Sequence, residues 1–205
     1  VDYVHKAFPA LVPHVSHNLS PMGAISKYIK EHDQGAKVVF IGPCTAKKAE
    51  VQLDKVKPYV DAAMTFEELQ ALYDSKDIDI TTLSEDVLDN ASYFGRIFAR
   101  SGGLSDAVKQ GLAEHGITDF ELKAVPCDGI EACRTALLKK SKNVLDGNFI
   151  EGMACEGGCV GGPSAFNDQV SSKKNRDTLI GQADDRTIHD NLKNYDMESF
   201  SMHRE

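Results

Sequence analysis

Two cysteines in a glycine-rich segment are the strongest chemical signal in the chain. Cys155 and Cys159 lie four residues apart within residues 155–163, which read CEGGCVGGP. Glycine permits the backbone angles of a tight loop and lets main-chain N–H groups approach an anionic centre. Thiolates are the usual ligands of iron–sulfur clusters and of zinc, so this loop can turn both sulfurs toward one metal centre. A structural loop with two buried thiols is the alternative interpretation.

A third cysteine stands at the start of a second motif. Residues 42–50 read GPCTAKKAE, with Cys44 just past an apolar run and Lys47 three residues on. A cysteine at a turn into a helix can have its thiolate favoured by the helix dipole. Lys47 shares a helical face with Cys44, where its ammonium can approach an anionic group, and Glu50 can pair with Lys47. An ordinary solvated helix start is the alternative for this motif taken alone.

Strands and helices alternate along the chain and must position these motifs. This alternation favours an α/β fold with a mostly parallel sheet flanked by helices. Parallel strands gather loops at their carboxyl ends, which predicts that Cys44, Cys127 and Cys155 meet at one rim of the sheet. The predicted strands are 37–42 (buried), 62–65, 120–125 and 148–154. The predicted helices are one at 4–11, one behind a Ser20 cap, 66–73 behind a Thr65 cap, one of about a dozen residues that Gly102-Gly103 opens and that stops near Gly116, and 129–138; residues 76–100 stay ambiguous.

Two further cysteines belong to residues 127–133, which read CDGIEAC. Cys127 ends a predicted strand at the same rim, so contact with the metal site stays open for it. Cys133 falls on the apolar face of the following helix with Ile130 and Leu137, where a small hydrophobic residue is the commoner role.

Composition excludes several classes of function. The net charge is −8 and no long basic run occurs, which argues against nucleic acid as a partner. No apolar stretch approaches the roughly 20 residues of a membrane helix. Five unevenly spaced cysteines favour reduced thiols in the cytoplasm over a secreted disulfide scaffold.

Four segments together resemble the iron–iron hydrogenases. Residues 153–162 (MACEGGCVGG) and 43–50 (PCTAKKAE) are similar to two of the family's three signature motifs, in the same order and at a similar separation. Residues 98–104 (FARSGGL) resemble the family's Phe-Gly-x-Thr-Gly-Gly-Val segment. Residues 3–16 (YVHKAFPALVPHVS) resemble the helix that follows the first signature motif. The resemblance covers residues 1 to 165, and residues 166–205 are expected to form a C-terminal helical extension.

The resemblance implies a cofactor and a role for each motif residue. The expected fold is one lobe of the domain that holds the H-cluster, a four-iron–four-sulfur cluster joined to a two-iron subcluster. Cys44 and Cys155 would ligate the four-iron cluster, and Cys159 would supply the sulfur that bridges the two parts. Lys47 would hydrogen-bond a cyanide ligand. The remaining pocket residues implied are Met153 and Phe98, which would line the two-iron subcluster.

The same resemblance implies an activity and partners. The reaction would be the reversible reduction of protons to dihydrogen. Electrons would come from a redox partner such as ferredoxin or from the parent protein's own iron–sulfur domains. The first signature motif, which carries the fourth cluster cysteine, is not in the sequence. The chain is therefore expected to be an incomplete part of a hydrogenase that needs the remainder of the hydrogenase chain.

Some positions depart from the family pattern. Gly42 replaces a methionine, and Ala99, Arg100 and Ser101 replace Gly-Ala-Thr in the segment that begins at Phe98. An inward Arg100 would change the charge near the site, and Ala99 would crowd a close approach. These departures leave a sensory or iron–sulfur-binding module with little turnover as the second hypothesis. A structural zinc protein is the third.

Overall fold

The computed structural model describes residues 1–86 and 91–203. Part of the ambiguous stretch of the sequence, residues 87–90, lies outside the described residues. The strands are β1 (Val39–Ile41), β2 (Ala62–Met64), β3 (Ala124–Asp128) and β4 (Phe149–Met153). The α-helices are α1 (Asp2–Ala7), α2 (Pro21–His32), α3 (Ala46–Glu50), α4 (Phe66–Asp74), α5 (Tyr93–Arg96), α6 (Gly103–Glu114), α7 (Ile130–Ser141), α8 (Gln169–Gly181) and α9 (Ile188–Leu192).

The chain divides into two compact units. The first unit comprises residues 1–16, the described residues from 91 to 161, and residues 168–196. The second unit comprises residues 17–86, residues 162–167 and the described residues from 197 to 203. The cysteine loop 155–161 therefore belongs to the first unit and Cys44 to the second.

The first unit is built on one parallel strand pair and a helix that crosses it. β3 and β4 pair in parallel, with Cys127 opposite Gly152 and Asp128 opposite Met153. α7 packs against both strands and contributes Cys133 and Ala136 to the buried cluster around Cys127. Parallel strands require a helical crossover, and α7 is that crossover.

The second unit has its own strand pair and core. β1 and β2 are parallel, in register from Val39 with Ala62 to Ile41 with Met64. The buried hydrophobic cluster of the unit comes from α2 and the residue two positions before it, and from the turns after α3; its members are Leu19, Met22, Val51, Val56 and Val60. Its two predicted helix starts are confirmed: the Ser20 hydroxyl accepts the Gly23 amide at 3.3 Å, and Thr65 forms a capping box with Glu68.

Several sequence expectations need correction. The strand at residues 37–42 is present but is not buried: Val39 is 44% and Ile41 41% exposed. The strand predicted at 120–125 begins only at Ala124, because its partner β4 begins at Phe149 and the ladder starts there. Ile130 is exposed and leaves the apolar face of α7 to Cys133 and Ala136.

The fold class is α/β with parallel strand pairs, as the alternation of elements predicted. Within residues 1–86 and 91–203 the strands form two separate two-stranded sheets, one in each unit. The prediction that one sheet rim carries all three cysteines is therefore wrong, because the cysteines are divided between two sheets. Cys127 and Cys155 lie at the carboxyl end of the β3–β4 pair, whereas Cys44 follows β1 in the other pair. No helix in the described part of the chain is long and apolar enough to span a membrane.

Candidate metal centre

The cysteine loop leaves the end of β4 and turns back at once. Cys155 follows the strand's last residue by two positions and is half-buried, and Cys159 is exposed at the start of a short 3₁₀ turn. Gly157 and Gly158 both have φ +82°, a left-handed conformation that side chains with a Cβ rarely adopt. The loop can therefore hold two sulfurs on one short stretch of chain.

The loop packs against the segment that begins at Phe98. A Cβ added to Gly158 would lie 2.4 Å from the Ala99 carbonyl oxygen and 2.9 Å from the Arg100 Cα. The contact is made by main-chain atoms of residues 99 and 100, so glycine is needed at position 158. Phe98 and Met153, the predicted pocket residues of this unit, are both half-buried.

Asp128 fixes the loop from the end of the neighbouring strand. Its Oδ1 accepts the Gly157 amide at 2.6 Å and the Ser101 hydroxyl at 3.2 Å. The Ser101 hydroxyl also lies 3.4 Å from the Cys127 carbonyl oxygen. One carboxylate thus ties the loop, the strand β3 and the segment after Phe98 together.

Glu151 is the most buried charged side chain near the loop. It lies on β4 and is 3% exposed. Its Oε1 accepts the amides of Gly102 at 2.9 Å and Leu104 at 3.4 Å. Its Oε2 accepts the Ser105 amide at 2.8 Å and the Ser105 hydroxyl at 2.6 Å. A negative charge at the N-terminus of α6 satisfies donors that the helix itself leaves unpaired.

The Arg100 side chain forms an ion pair with the first turn of α6. Its Nη2 lies 2.5 Å from Asp106 Oδ2 in the first turn of α6. Its Nε is buried without a hydrogen-bond partner among the described residues. The guanidinium is therefore neutralised by Asp106.

In the second unit, Cys44 precedes a short helix whose cation is already paired. Lys47 Nζ lies 2.6 Å from Glu50 Oε2, which confirms the predicted pair. The Ser20 hydroxyl donates to the other oxygen of Glu50 at 2.5 Å. The Lys47 ammonium is thus held at one place beside the Cys44 motif, and an ammonium has three N–H donors.

The ring of Phe40 explains why position 42 holds glycine in place of the family's methionine. A Cβ on Gly42 would lie 2.9 Å from Cε1 of the Phe40 ring. A methionine there would have to displace that ring. The next residue, Pro43, accepts the Ser164 amide at 3.3 Å, so residues after the cysteine loop hydrogen-bond to the residue before Cys44. Both Pro43 and Ser164 belong to the second unit.

Cys127 and Cys133 are core residues and not parts of the cysteine loop. They are 3% and 7% exposed and pack with Ala136, Val125 and Ile150. Burial raises the pKa of both thiols, so both stay protonated at neutral pH. Their sulfurs point to the carbonyls of Val125 and Met153, each at 3.6 Å.

The donor set of the first unit fits a soft, anionic metal–sulfur group. Cys155 and Cys159 place two thiols on one turn, where they could serve as sulfur donors, and that turn is closed by main-chain contacts that only glycine allows. Residues 1–86 and 91–203 contain no group of three or more His, Cys, Asp or Glu side chains arranged to hold a metal ion.

Sequence reasoning missed the residues that hold the loop and the neighbouring segment after Phe98. Glu151 carried a signal, because it is an acidic residue within an otherwise apolar predicted strand. Asp128 carried a weaker one, as a polar residue at a strand end. Residues of α8 that contact the loop carried none, since they lie in a polar segment that resembles a solvated helix.

Comparisons with known proteins agree with the motifs. The family model described as the C-terminal domain of the iron only hydrogenase large subunit matches residues 1–163. The chain is 31% identical over 202 residues to the periplasmic [Fe] hydrogenase large subunit of Nitratidesulfovibrio vulgaris, with 78% of this chain and 48% of that protein covered. It is 28% identical over 242 residues to iron hydrogenase 1 of Clostridium pasteurianum, covering 93% and 42%. The chain thus spans less than half the length of these relatives.

Solved structures show the same fold. A variant of the [FeFe]-hydrogenase HydA1 from Chlamydomonas reinhardtii superposes with a TM-score of 0.69 at 19% identity, covering 98% of this chain and 71% of that one. A second [FeFe]-hydrogenase structure, which concerns oxygen damage to the H cluster 2Fe subcluster, gives 0.68 at 20% identity, covering 98% and 70%. The family match over most of the chain decides the assignment: this chain belongs to the family of the C-terminal domain of the iron only hydrogenase large subunit.

Proposed function

We propose that this chain is part of an iron–iron hydrogenase that catalyses the reversible reduction of protons to dihydrogen at an H-cluster. The observation that carries the proposal is the cysteine loop, whose two thiols flank a pair of glycines in the left-handed conformation. The family match over residues 1–163 and the hydrogenase relatives support it. When bound, the cluster supplies the iron chemistry that joins protons and electrons in dihydrogen.

The cysteines would hold the cofactor. Cys155 would ligate the four-iron–four-sulfur cluster with Cys44, and Cys159 would bridge that cluster to the two-iron subcluster. The assignment of Cys44 rests on its sequence motif. The choice of these three cysteines is supported by burial, because Cys159 is exposed and Cys44 and Cys155 are half-buried, whereas the two core cysteines are buried.

Three other side chains would shape the pocket. Lys47 would donate a hydrogen bond to an anionic ligand of the iron, since Glu50 binds its ammonium through one contact and fixes its place. Met153 and Phe98 would line the two-iron subcluster with apolar surface and keep water away from it.

The organisation of the protein is part of the proposal. Residues 1–165 would form part of the catalytic domain and residues 166–205 a helical extension. The remainder of the hydrogenase chain would supply the fourth cluster cysteine. Ferredoxin or further iron–sulfur domains would exchange electrons with it. We propose the cytoplasm as its compartment because its cysteine usage suits reduced thiols, although one relative is named as periplasmic.

The test is metal and sulfide analysis of the full-length protein prepared without oxygen. Iron with acid-labile sulfide, and hydrogen evolution from reduced viologen after maturation, would support the proposal. Zinc without sulfide would overturn it in favour of a structural zinc site. Iron and sulfide with very slow hydrogen turnover would instead support a sensory module, which the hydrogenase relatives do not favour.

Matched cysteine variants locate the ligands. Cys155→Ala should abolish iron binding, and Cys159→Ala should remove the two-iron part of the cofactor. Cys133→Ala removes a thiol of the same unit from the apolar core and should leave the iron content unchanged. Equal iron loss in all three variants would mean that the loop is not the ligand source.

A further inference from the structure

Helix α8 (Gln169–Gly181) lies beyond the part of the chain that matches the family model, residues 1–163, and one face of it meets the cysteine loop. Gln169, Lys173 and Arg176 are spaced four and three residues apart, so they share one face of the helix. All three reach the same stretch of main chain, residues 156–161.

Two side chains of this face donate hydrogen bonds to loop carbonyls. Gln169 Nε2 donates to the Glu156 carbonyl oxygen at 3.3 Å, and Arg176 Nη1 donates to the Gly157 carbonyl oxygen at 3.4 Å. Lys173 Nζ lies 3.2 Å from the point where a Cβ on Gly157 would be. Side chains of α8 therefore cover one side of Gly157.

The peptide groups of Gly157 are held from both sides. Its amide donates to Asp128 at 2.6 Å, and its carbonyl accepts from Arg176. Asp128 lies on β3 and Arg176 on α8, so two different elements fix one residue between the two cysteines. A loop tied in this way presents its sulfurs in fewer conformations.

The same face brings positive charge to the loop. The Arg176 side chain is 15% exposed and shares its charge with Asp177 at 2.8 Å. Lys173 is half-buried, and in the part of the chain that the structure describes it has no ion pair. A cation near a metal–sulfur cluster lowers the energy of the more negative, reduced state.

We propose that α8 is a cationic clamp on the cysteine loop: Arg176 and Gln169 position the loop, and Lys173 with Arg176 raises the reduction potential of the cluster that Cys155 and Cys159 hold. The inference rests on the proposed function. The redox step adds one electron from a low-potential donor to the four-iron cluster, and no bond or proton changes with it. These side chains act through the loop and its charge, so they are positioning residues.

The experiment compares four variants of the full-length protein. Lys173→Gln and Arg176→Gln each remove a cation from the loop face, and Arg176→Lys keeps the charge without the planar donor group. Lys174→Gln is the matched control, because Lys174 is the exposed neighbour of Lys173 on the same helix. Cluster reduction is followed by electron paramagnetic resonance at fixed potentials, and amide hydrogen exchange of the loop is followed in the metal-free protein.

The expected results distinguish the effect of charge on the reduction potential from the effect of hydrogen bonding on the loop. Lys173→Gln and Arg176→Gln should each lower the ratio of reduced to oxidised cluster at a fixed potential about threefold, which is about 28 mV at 59 mV per tenfold. Lys174→Gln should leave that ratio unchanged, and Arg176→Lys should restore most of it. Exchange of the Gly157 amide should become about tenfold faster in Arg176→Gln and stay the same in Lys173→Gln.

The outcomes against the proposal are distinct. Equal reduction ratios for Lys173→Gln, Arg176→Gln and Lys174→Gln would overturn the effect on potential. Unchanged exchange of the Gly157 amide in Arg176→Gln would overturn the clamp. If the wild-type protein holds no iron or sulfide, the proposed function fails and the claim about potential fails with it. The exchange measurement on metal-free protein still decides the clamp.

Discussion

Replacing Glu151 by glutamine should destabilise the first unit more than any exposed charge substitution. The carboxylate accepts hydrogen bonds through both oxygens, from Gly102 and Leu104 on one side and from Ser105 on the other. Glutamine keeps one acceptor and puts an N–H₂ group in place of the other. Whichever way the amide turns, at least one main-chain N–H then faces a donor instead of an acceptor.

The size of the effect follows from two contributions. A buried donor left without an acceptor costs about 1–3 kcal/mol. Loss of the negative charge at the N-terminus of α6 costs roughly 0.3–2 kcal/mol, with the upper part of that range apt for a side chain that is 3% exposed. Together these give about 3 kcal/mol, which lowers the melting temperature of a chain of this size by roughly 6–12 °C. Ser105→Ala removes only the hydroxyl donor and should cost about 1 kcal/mol.

The assay is thermal unfolding of metal-free protein followed by circular dichroism, with hydrogen exchange of the α6 amides as the local readout. Glu121→Gln is the matched control, because Glu121 is 80% exposed and pairs only loosely with Lys123 at 3.6 Å. That control should stay within about 0.5 kcal/mol of wild type. If Glu151→Gln unfolds at the same temperature as Glu121→Gln, the reasoning that Glu151 ties β4 to α6 is refuted.

Four further outcomes follow from other parts of the structure. Iodoacetamide should modify Cys127 and Cys133 about a hundredfold more slowly in the native metal-free protein than in the unfolded one, as mass spectrometry would show; equal rates would contradict their burial. Gly158→Ala should destabilise by about 2 kcal/mol or more, since its Cβ would lie 2.4 Å from a carbonyl oxygen at φ +82°. Gly111→Ala, in open space inside a helix, should stabilise by about 0.5–1 kcal/mol, and denaturant titration would expose a reversed order. The pKa of Asp190 is lowered to about 2 by its hydrogen bonds to the lysine three residues later and to the threonine that caps its helix. Its contribution to stability is therefore full above the unfolded value of about 3.9 and is lost as the pH falls through 2, and an NMR titration midpoint near 4 would contradict this.

The parts of the fold that the sequence predicts are those with local causes. The Ser20 and Thr65 caps act within three residues, and the strand at 148–154 was predicted because its apolar run ends in a glycine-rich loop. The start of β3 was misplaced because register depends on the partner strand, which lies about two dozen residues away along the chain. The sequence also predicts a fully buried β1, whereas two of its three residues are exposed. An apolar run does not show how many faces of a strand other elements cover.

The candidate site divides in the same way. Cys155 and Cys159 were identifiable because their spacing and the glycines between them are a local pattern, and the Lys47–Glu50 pair because it spans a single helical turn. Glu151 was not identified, since its donors come from main-chain atoms nearly fifty residues earlier. The acidic residue is visible in the apolar strand, but a main-chain donor has no signature in the sequence, so its partners become apparent only once the chain is folded.

The same distinction bears on the departures at positions 99 and 100. The segment after Phe98 contacts the cysteine loop through the Ala99 carbonyl oxygen and the Arg100 backbone, which any pair of residues would supply. The Arg100 charge is directed at Asp106 on α6. Substitutions at these two positions therefore leave the support of the loop intact and do not by themselves argue for a module without turnover. What the loop requires is glycine at 158, where only a missing side chain allows the approach, and there the chain keeps the glycine of its motif.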